Sequence, residues 1–361
     1  MTTVLIAGGY GVVGAQVAAL LAERHPALRL LLGGRHPDAA ETLAASLPCA
    51  RPQRLDLDAD DPLATLETTP DVILVAANDG HDRLLRSGLR RSIPVVDITR
   101  WTERVRDALA WTAAVAPRAP VVLASSWMAA IPATLAVEAA RAFAVLARID
   151  LDILFALRDR AGPNSVEYMD RLATAFMAQL DHRRVLRTPF SEHRSVSFTP
   201  EGTFTTALFD SPDQMTLPAI TGAASVAAYI GFDHEVSNTM LRGIVRSGLW
   251  RAISGPAFTG LRRKLLFNPG PGDHHRVRVT LNGYGADGRA RRCTIDIDDP
   301  AGQTHLTALG AAVQVERVLG LGNHLAAAAG VQFAEAQTDA TVLRQRLADA
   351  GVDIRLEQTD V

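Results

Sequence analysis

The sequence predicts an α/β protein, a doubly wound parallel sheet followed by a second α+β domain with a mixed or antiparallel sheet. Three observations carry that reading. Short aliphatic runs alternate with helical patterns through the first third of the chain. Four glycines crowd into positions 8 to 14, directly after the first such run. Near residue 146 the rhythm changes, and strand-like stretches begin to alternate apolar and polar residues. The 361 residues are too many for one ordinary core and suit two domains.

The first element is the buried strand Val4 to Ala7, read from its β-branched and aliphatic run. Gly9, Gly11 and Gly14 then form G-x-G-x-x-G, and an alanine-rich helix starts at Val12. Each glycine has its own task in such a strand–turn–helix: Gly9 the tight turn, Gly11 close approach of a pyrophosphate, Gly14 packing of helix on strand. Backbone N–H groups and the positive end of the helix dipole face the phosphates. Glycine-rich turns are common, but a strand before and a helix after give this one the context of a Rossmann-type dinucleotide site.

The second strand, "LRLLLGG" (28–34), ends where an acidic residue would bind both ribose hydroxyls of NAD. Here stand Gly33, Gly34, Arg35 and His36. An arginine fork suits a phosphate, so NADP (NADPH) is the expected cofactor and NAD less so. The bland alternative is a solvated loop arginine. Further strands are expected at 53–58, with Asp56 and Leu57 beside the adenine, then at 71–78, 93–99 and 120–126, with helices between them. Ligands of open α/β sheets bind beyond the carboxyl ends of the strands, which places Ala77, Asn78, Asp97, Thr99, Ser126 and Trp127 near a nicotinamide. Each could be a plain turn residue, and Asp97 a helix N-cap.

In the second half, 148–159 reads as a half-buried strand and 165–180 as an amphipathic helix. Strands are expected at 193–198, 275–285 and 292–298, the last two joined by an Asp287-Gly288 hairpin turn. A long apolar helix at 304–322 and a helix with a short strand complete the chain. The expected domains are residues 1–126 for nucleotide, 127–303 for substrate and dimerisation, and 304–361 as helices returning to the first.

Composition excludes several functions. A formal net charge of −2 leaves no footprint for nucleic acid or an anionic membrane. Cys49 and Cys293 make neither a disulfide framework nor a zinc site, and with no signal-like start the expected location is cytoplasmic. No metal is expected, since His274 and His275, adjacent on a strand, face opposite ways. Residues 119–137 and 214–232 are uncharged and long enough to span a bilayer, but prolines and small polar residues interrupt both, and no membrane span is expected. Lys264 is the one lysine, so an amine nucleophile or Schiff base could come from nowhere else.

The quoted glycine turn, "GGRHPDAAETLAASL", "VILVAAN", "VVDITRW", "SPDQMTLPAITGAASVAAYIGF" and "GQTHLTALGAAVQVERVL" together resemble the saccharopine-dehydrogenase-like NAD(P)-dependent oxidoreductases, in particular their saccharopine reductase branch. The resemblance covers most of the chain and is strongest in the first third. It implies a pyrophosphate turn on Gly9, Tyr10, Gly11, Val12 and Val13, a ribose-phosphate site on Arg35, a substrate pocket in the middle domain, and a homodimer. It also implies hydride transfer between a nicotinamide and the C=N bond of an imine, or the reverse oxidation of a secondary amine. "GPNSVEYMDRLATAF" and "SSWMAAIP" depart from the family's glycine-rich segments, so saccharopine itself is not carried over.

Within that chemistry Asp97 is the expected electrostatic partner of an iminium, Tyr168 or His193 the proton shuttle, and Arg171 or Arg194 the clamps for a small-molecule carboxylate. Each of these polar residues could instead be structural. Two other readings stay open. One is reduction of an activated C=C or C=O bond, which an exposed apolar wall at 214–232 would favour; the other is a non-catalytic NADP sensor or partner subunit.

Overall fold

The computed structural model describes residues 1–162, 170–198, 200–258, 260 and 270–360. These divide into two compact units: 1–130 with 307–346, and 131–306 with 347–361.

The first unit is built on seven parallel strands. They include β1 (Thr3–Ala7), β2 (Arg29–Gly34), β3 (Ala50–Arg54), β4 (Val72–Val75), β5 (Val95–Asp97) and β6 (Pro120–Leu123), with Gly330–Phe333 pairing on β6 at the edge. The order from the other edge is β3-β2-β1-β4-β5-β6. This is the Rossmann arrangement, with its order reversing between β1 and β4. Val4 to Ala7 and Val72 to Val75 have no exposed surface, which explains their unbroken aliphatic composition. Helices α1 (Val12–Arg24), α2 (Glu41–Ser46), α3 (Arg83–Arg91) and α4 (Thr102–Val115) connect the strands. Residues Ala308, Ala311, Ala312 and Val315 of the helix Gln303–Leu319 complete the core with Val17, Ala18 and Leu21 of α1. Helix α5 (Trp127–Ala140) opens with a break, where Met128, Ala129 and Ala130 all have positive φ.

The second unit is a mixed sheet whose centre is β7 (Val145–Phe155). Outside the main strand path, β8 (Phe176–Leu180) and β9 (Arg183–Arg187) form a hairpin. The path continues as β10 (His193–Phe198), β11 (Gly202–Leu208), β12 (Ser225–Phe232), β13 (His275–Tyr284) and β14 (Ala290–Asp299). Strand β12 runs parallel to β7, while β13 and β14 follow antiparallel. Burial alternates residue by residue along β13 and β14. Val277, Val279 and Leu281 face a core, and Arg276, Arg278, Thr280 and Asn282 form the polar face.

Three expectations need correction. Residues 304–361 do not stay together: the last strand, Asp353–Asp360, pairs antiparallel with β14 in the second unit, where it covers that sheet's edge. The stretch 165–180 is not one helix. Its residues up to 169 lie outside the described set, and 176–180 is strand β8. Asp181 and His182 both have positive φ, as a type I′ hairpin turn requires. Finally, 214–232 is no exposed apolar wall. It folds as helix α6 (Asp213–Thr221) and the buried strand β12. Among the described residues, no helix is long and apolar enough to cross a membrane.

Candidate functional site

The glycine turn hangs from the end of β2. The Gly8 and Gly9 N–H groups both donate to the Gly33 carbonyl, at 2.8 and 3.2 Å, and Gly11 N–H returns to the Gly8 carbonyl at 2.9 Å. Gly8, rather than Gly9, takes the left-handed conformation, with φ of 83°. Gly9 and Gly14 are demanded by contact: a Cβ at 9 would stand 2.7 Å from Leu32 Cα, and one at 14 only 2.1 Å from the Gly8 oxygen. Gly11 is exposed, and a Cβ there would meet just the Gly8 oxygen, at 3.1 Å.

Helix α1 therefore starts tightly against β1 with its first turn bare. Its N-cap is Gly11, no side chain caps it, and its first turn holds no acidic residue. The N–H groups of Val12, Val13 and Gly14 precede the first intrahelical donor, Ala15, which bonds to Gly11. A helix end left in this state is a cradle for an anion. The residues present thus fit the pyrophosphate of a dinucleotide.

Beside this turn lies the loop after β2. Gly34 and Arg35 leave it without a carboxylate; Arg35 is exposed and makes no hydrogen bond or ion pair among the described residues. The chain after β3 lies alongside, since Leu55 N–H donates to the Gly34 carbonyl at 2.9 Å. Asp56 and Leu57 follow, both half-buried, and the Asp56 carboxylate accepts from Asp58 N–H.

The ends of β4, β5 and β6 bring the other expected residues to one edge. Ala77 packs at the glycine turn, its Cβ 2.9 Å from where a Cβ on Gly8 would lie. Asn78 Oδ1 accepts from Arg104 at 2.5 Å, and Ser126 donates to the buried Glu335 at 2.7 Å. Thr99 follows the end of β5, and the half-buried Trp127 opens α5 just after the adjacent β6.

Asp97 is at this edge, but its chemistry differs from the expectation. It has no exposed surface. One oxygen accepts from Thr99 N–H and Oγ1, both at 2.9 Å, and the other from Arg100 Nε at 2.7 Å. Arg100, itself fully buried, also donates to Asp82 at 2.7 Å, and Arg104 reaches the same Asp82 oxygen at 2.6 Å. Burial works against the Arg100 charge, but Asp97 and Asp82 more than offset it, so its pKa is held above the ordinary arginine value. Asp79 completes the network as the cap of α3, accepting from the N–H groups of Arg83, Leu84 and Leu85. Burial pushes the Asp79 carboxyl up. With both oxygens engaged, Asp97 anchors a buried ion-pair network and does not present a charge to a substrate. The signal was in the sequence: "DITR" puts an arginine three residues after the aspartate.

Of the middle-domain candidates, Tyr168 lies outside the described residues. His193 is exposed at the start of β10. Arg194, its neighbour on the opposite face, is not a vacant clamp. It donates to Asp152 through Nε at 2.8 Å and through Nη2, pairs with Asp150 at 2.7 Å, and lies 4.5 Å from the centre of the Tyr229 ring. Burial raises the Asp152 carboxyl, and Arg194 opposes that shift. Arg171 stands 4.0 Å from the Asp210 carboxylate. Both arginines balance buried acids of their own unit. An open hollow on the polar sheet face includes Asp152, Arg194, Arg278 and Arg292.

His274 and His275 do part company: His274 pairs with Asp298 at 2.8 Å, while His275 is fully buried, its pKa lowered to about 3 by burial. Among the described residues, no group of three His, Cys, Asp or Glu side chains is placed to hold a metal ion.

No protein-family model matches the chain, and no curated protein matches its sequence. Solved structures do match its fold. Apo saccharopine dehydrogenase (L-Glu forming) from Saccharomyces cerevisiae superposes with a TM-score of 0.70 at 14% identity, over 99% of this chain and 100% of that one. A myo-inositol dehydrogenase from Corynebacterium glutamicum covers 100% and 99% at 11% identity, but with a TM-score of 0.44. The WlbA dehydrogenase from Thermus thermophilus covers 96% and 94% at 14% identity and a TM-score of 0.40. The chain shares its fold with the yeast enzyme; the other two likenesses carry no argument.

Proposed function

We propose that this protein is an NADPH-dependent oxidoreductase that reduces an imine formed from an amine and an aldehyde or keto compound, or oxidises the corresponding secondary amine. The observation that carries the reading is the bare N-terminus of α1, cradled by Gly8 to Gly14 beside a loop that offers Arg35 and no carboxylate. The fold shared with saccharopine dehydrogenase supports the choice of C–N chemistry.

In this reading the N–H groups of Val12, Val13 and Gly14 hold the pyrophosphate, and Arg35 binds the 2′-phosphate through its planar fork. Asp56 and Leu57 flank the adenine. Ala77, Asn78, Thr99, Ser126 and Trp127 form the nicotinamide end. When bound, the reduced cofactor supplies a hydride. A protonated imine is already electrophilic; hydride addition at carbon sends the π pair to nitrogen, and the resulting neutral amine takes a proton afterwards. A strong acid is therefore not needed. His193, exposed at the start of β10, stays the proposed proton shuttle for that amine. The buried Arg100 network fixes the ends of β4 and β5 so that the nicotinamide end is rigid. Reduction of a lipid-like C=C or C=O loses its support with the burial of 214–232.

The test is NADPH consumption by purified protein with a panel of amines and keto or aldehyde compounds, singly and in pairs. Consumption that requires both partners is expected. Consumption with a carbonyl compound alone, or with no pair at all, would overturn the imine reading.

A further inference from the structure

Two side-chain positions at the end of β2 could read the ribose, and the structure treats them differently. A Cβ on Gly33 would point into the core, 2.9 Å from Leu55 Cδ2 and 3.2 Å from Leu5 Cδ1. Nothing at 33 can reach a ligand. A Cβ on Gly34 would point the other way, onto the glycine turn. There the space is already filled: it would lie 2.2 Å from Tyr10 Oη and 2.4 Å from both Cε1 and Cζ of that ring. Position 34 is also the one that follows the last glycine of the turn by about twenty residues, the spacing of the acid that binds a ribose diol.

Tyr10 is tied in place as well. Its hydroxyl accepts from His36 N–H at 3.1 Å. On the other side of Arg35, the Gly34 carbonyl accepts from Leu55 N–H. The exposed Arg35 thus sits on a loop pinned immediately before and after it, with the tyrosine ring as one of the pins.

We propose that Tyr10 and Gly34 are a coupled specificity pair: the Tyr10 ring occupies the place of a diol-reading side chain at 34 and holds the Arg35 loop for a 2′-phosphorylated nucleotide. The proposal rests on the cofactor reading above and adds to it. The pair accounts for two sequence features together. An aromatic residue inside the glycine turn needs a glycine at 34, and a glycine at 34 removes the carboxylate that would repel a 2′-phosphate. Neither residue can be exchanged alone without loss. An aspartate at 34 beside an intact Tyr10 must displace the ring, which breaks the bond to His36 and frees the Arg35 loop.

The experiment is a calorimetric titration of the whole chain and three variants with NADPH and with NADH, each variant first checked for a cooperative thermal transition. Wild type binding NADPH more tightly than NADH is the baseline; binding to neither would sink the cofactor reading itself and the pair with it. Gly34→Asp alone is expected to weaken NADPH by about tenfold or more without tightening NADH. Tyr10→Ala with Gly34→Asp is expected to tighten NADH by about tenfold over Gly34→Asp alone, with NADPH still weak. Tyr10→Ala alone, which has the least reason to misfold, is expected to lower the NADPH-to-NADH affinity ratio several-fold. A complete switch to NADH by Gly34→Asp alone would overturn the coupling while leaving the cofactor reading intact. An unchanged ratio in Tyr10→Ala would do the same.

Discussion

Replacing Gly14 with alanine places a methyl group 2.1 Å from the Gly8 carbonyl oxygen, 2.9 Å from Gly8 C and 3.0 Å from Gly9 Cα. All three atoms are backbone, so no side chain can swing aside. To restore ordinary contact the start of α1 must retreat from β1 by about 1 Å. Overpacking of this kind costs about 1–3 kcal/mol, and a backbone clash belongs at the upper end. Against that, alanine is favoured over glycine in a helix by about 1 kcal/mol. The net loss of about 2 kcal/mol lowers the melting temperature by about 4–8 °C. The same retreat lengthens every bond from the first-turn N–H groups to a phosphate, and losing a charge-assisted bond costs about 1.5–3 kcal/mol. NADPH affinity, read by calorimetry, is expected to fall about ten- to a hundredfold. Gly11→Ala is the control. It meets one atom at 3.1 Å with an ordinary φ of −73°, so stability changes by no more than about 0.5 kcal/mol. Its methyl nevertheless stands on the face proposed to take the pyrophosphate, and affinity is expected to fall. Wild-type affinity in Gly14→Ala would refute the assignment of the cradle.

Arg35→Ala is expected to weaken NADPH about ten- to a hundredfold with little effect on NADH; equal losses for both nucleotides would make Arg35 a general contact only. Arg100→Met leaves Asp82 its bond from Arg104 but strips the fully buried Asp97 of its guanidinium partner, and is expected to destabilise the protein by about 3 kcal/mol in a denaturant titration, whereas wild-type stability would return Asp97 to the list of free catalytic acids. Asp159, buried at the N-terminus of the helix Gln303–Leu319, accepts from Gln303 N–H and Arg160 N–H, yet burial outweighs these bonds and raises its pKa from 3.8 to about 6. The folded state therefore holds this proton over a range where the unfolded state has lost it. Stability conferred by the proton is present below pH 3.8 and is lost as pH rises to about 6, a change of up to about 3 kcal/mol. Asp159→Asn should flatten the melting-temperature profile in that window; an unchanged slope would assign it to other groups.

The nucleotide half was legible because its signals are local. A buried strand, a turn of glycines and a helix occur in succession, and at Gly9 and Gly14 there is no room for a Cβ. The Asp287-Gly288 hairpin between β13 and β14 was legible for the same reason, Gly288 having φ of 76°. The hairpin at Asp181 and His182 was not, since it reaches positive φ without glycine, and an apolar pattern before it then reads as helix. The partners of Arg171 and Arg194 were hidden for another reason. Arg194 meets Asp152 from 42 positions away, and sequence alone cannot say whether a polar residue at a strand end faces a ligand or a buried countercharge. The place of the last strand, Asp353–Asp360, beside β14 likewise depends on a strand pairing that no local pattern encodes.

In the proposed reading the bare end of α1 and the Arg35 loop together bind a 2′-phosphorylated dinucleotide. Calorimetric titration of the unmodified protein with NADPH and, separately, with NADH tests it most directly. Tight binding of NADPH with weak binding of NADH is the expected result. Binding of neither, or of NADH as tightly as NADPH, would contradict it.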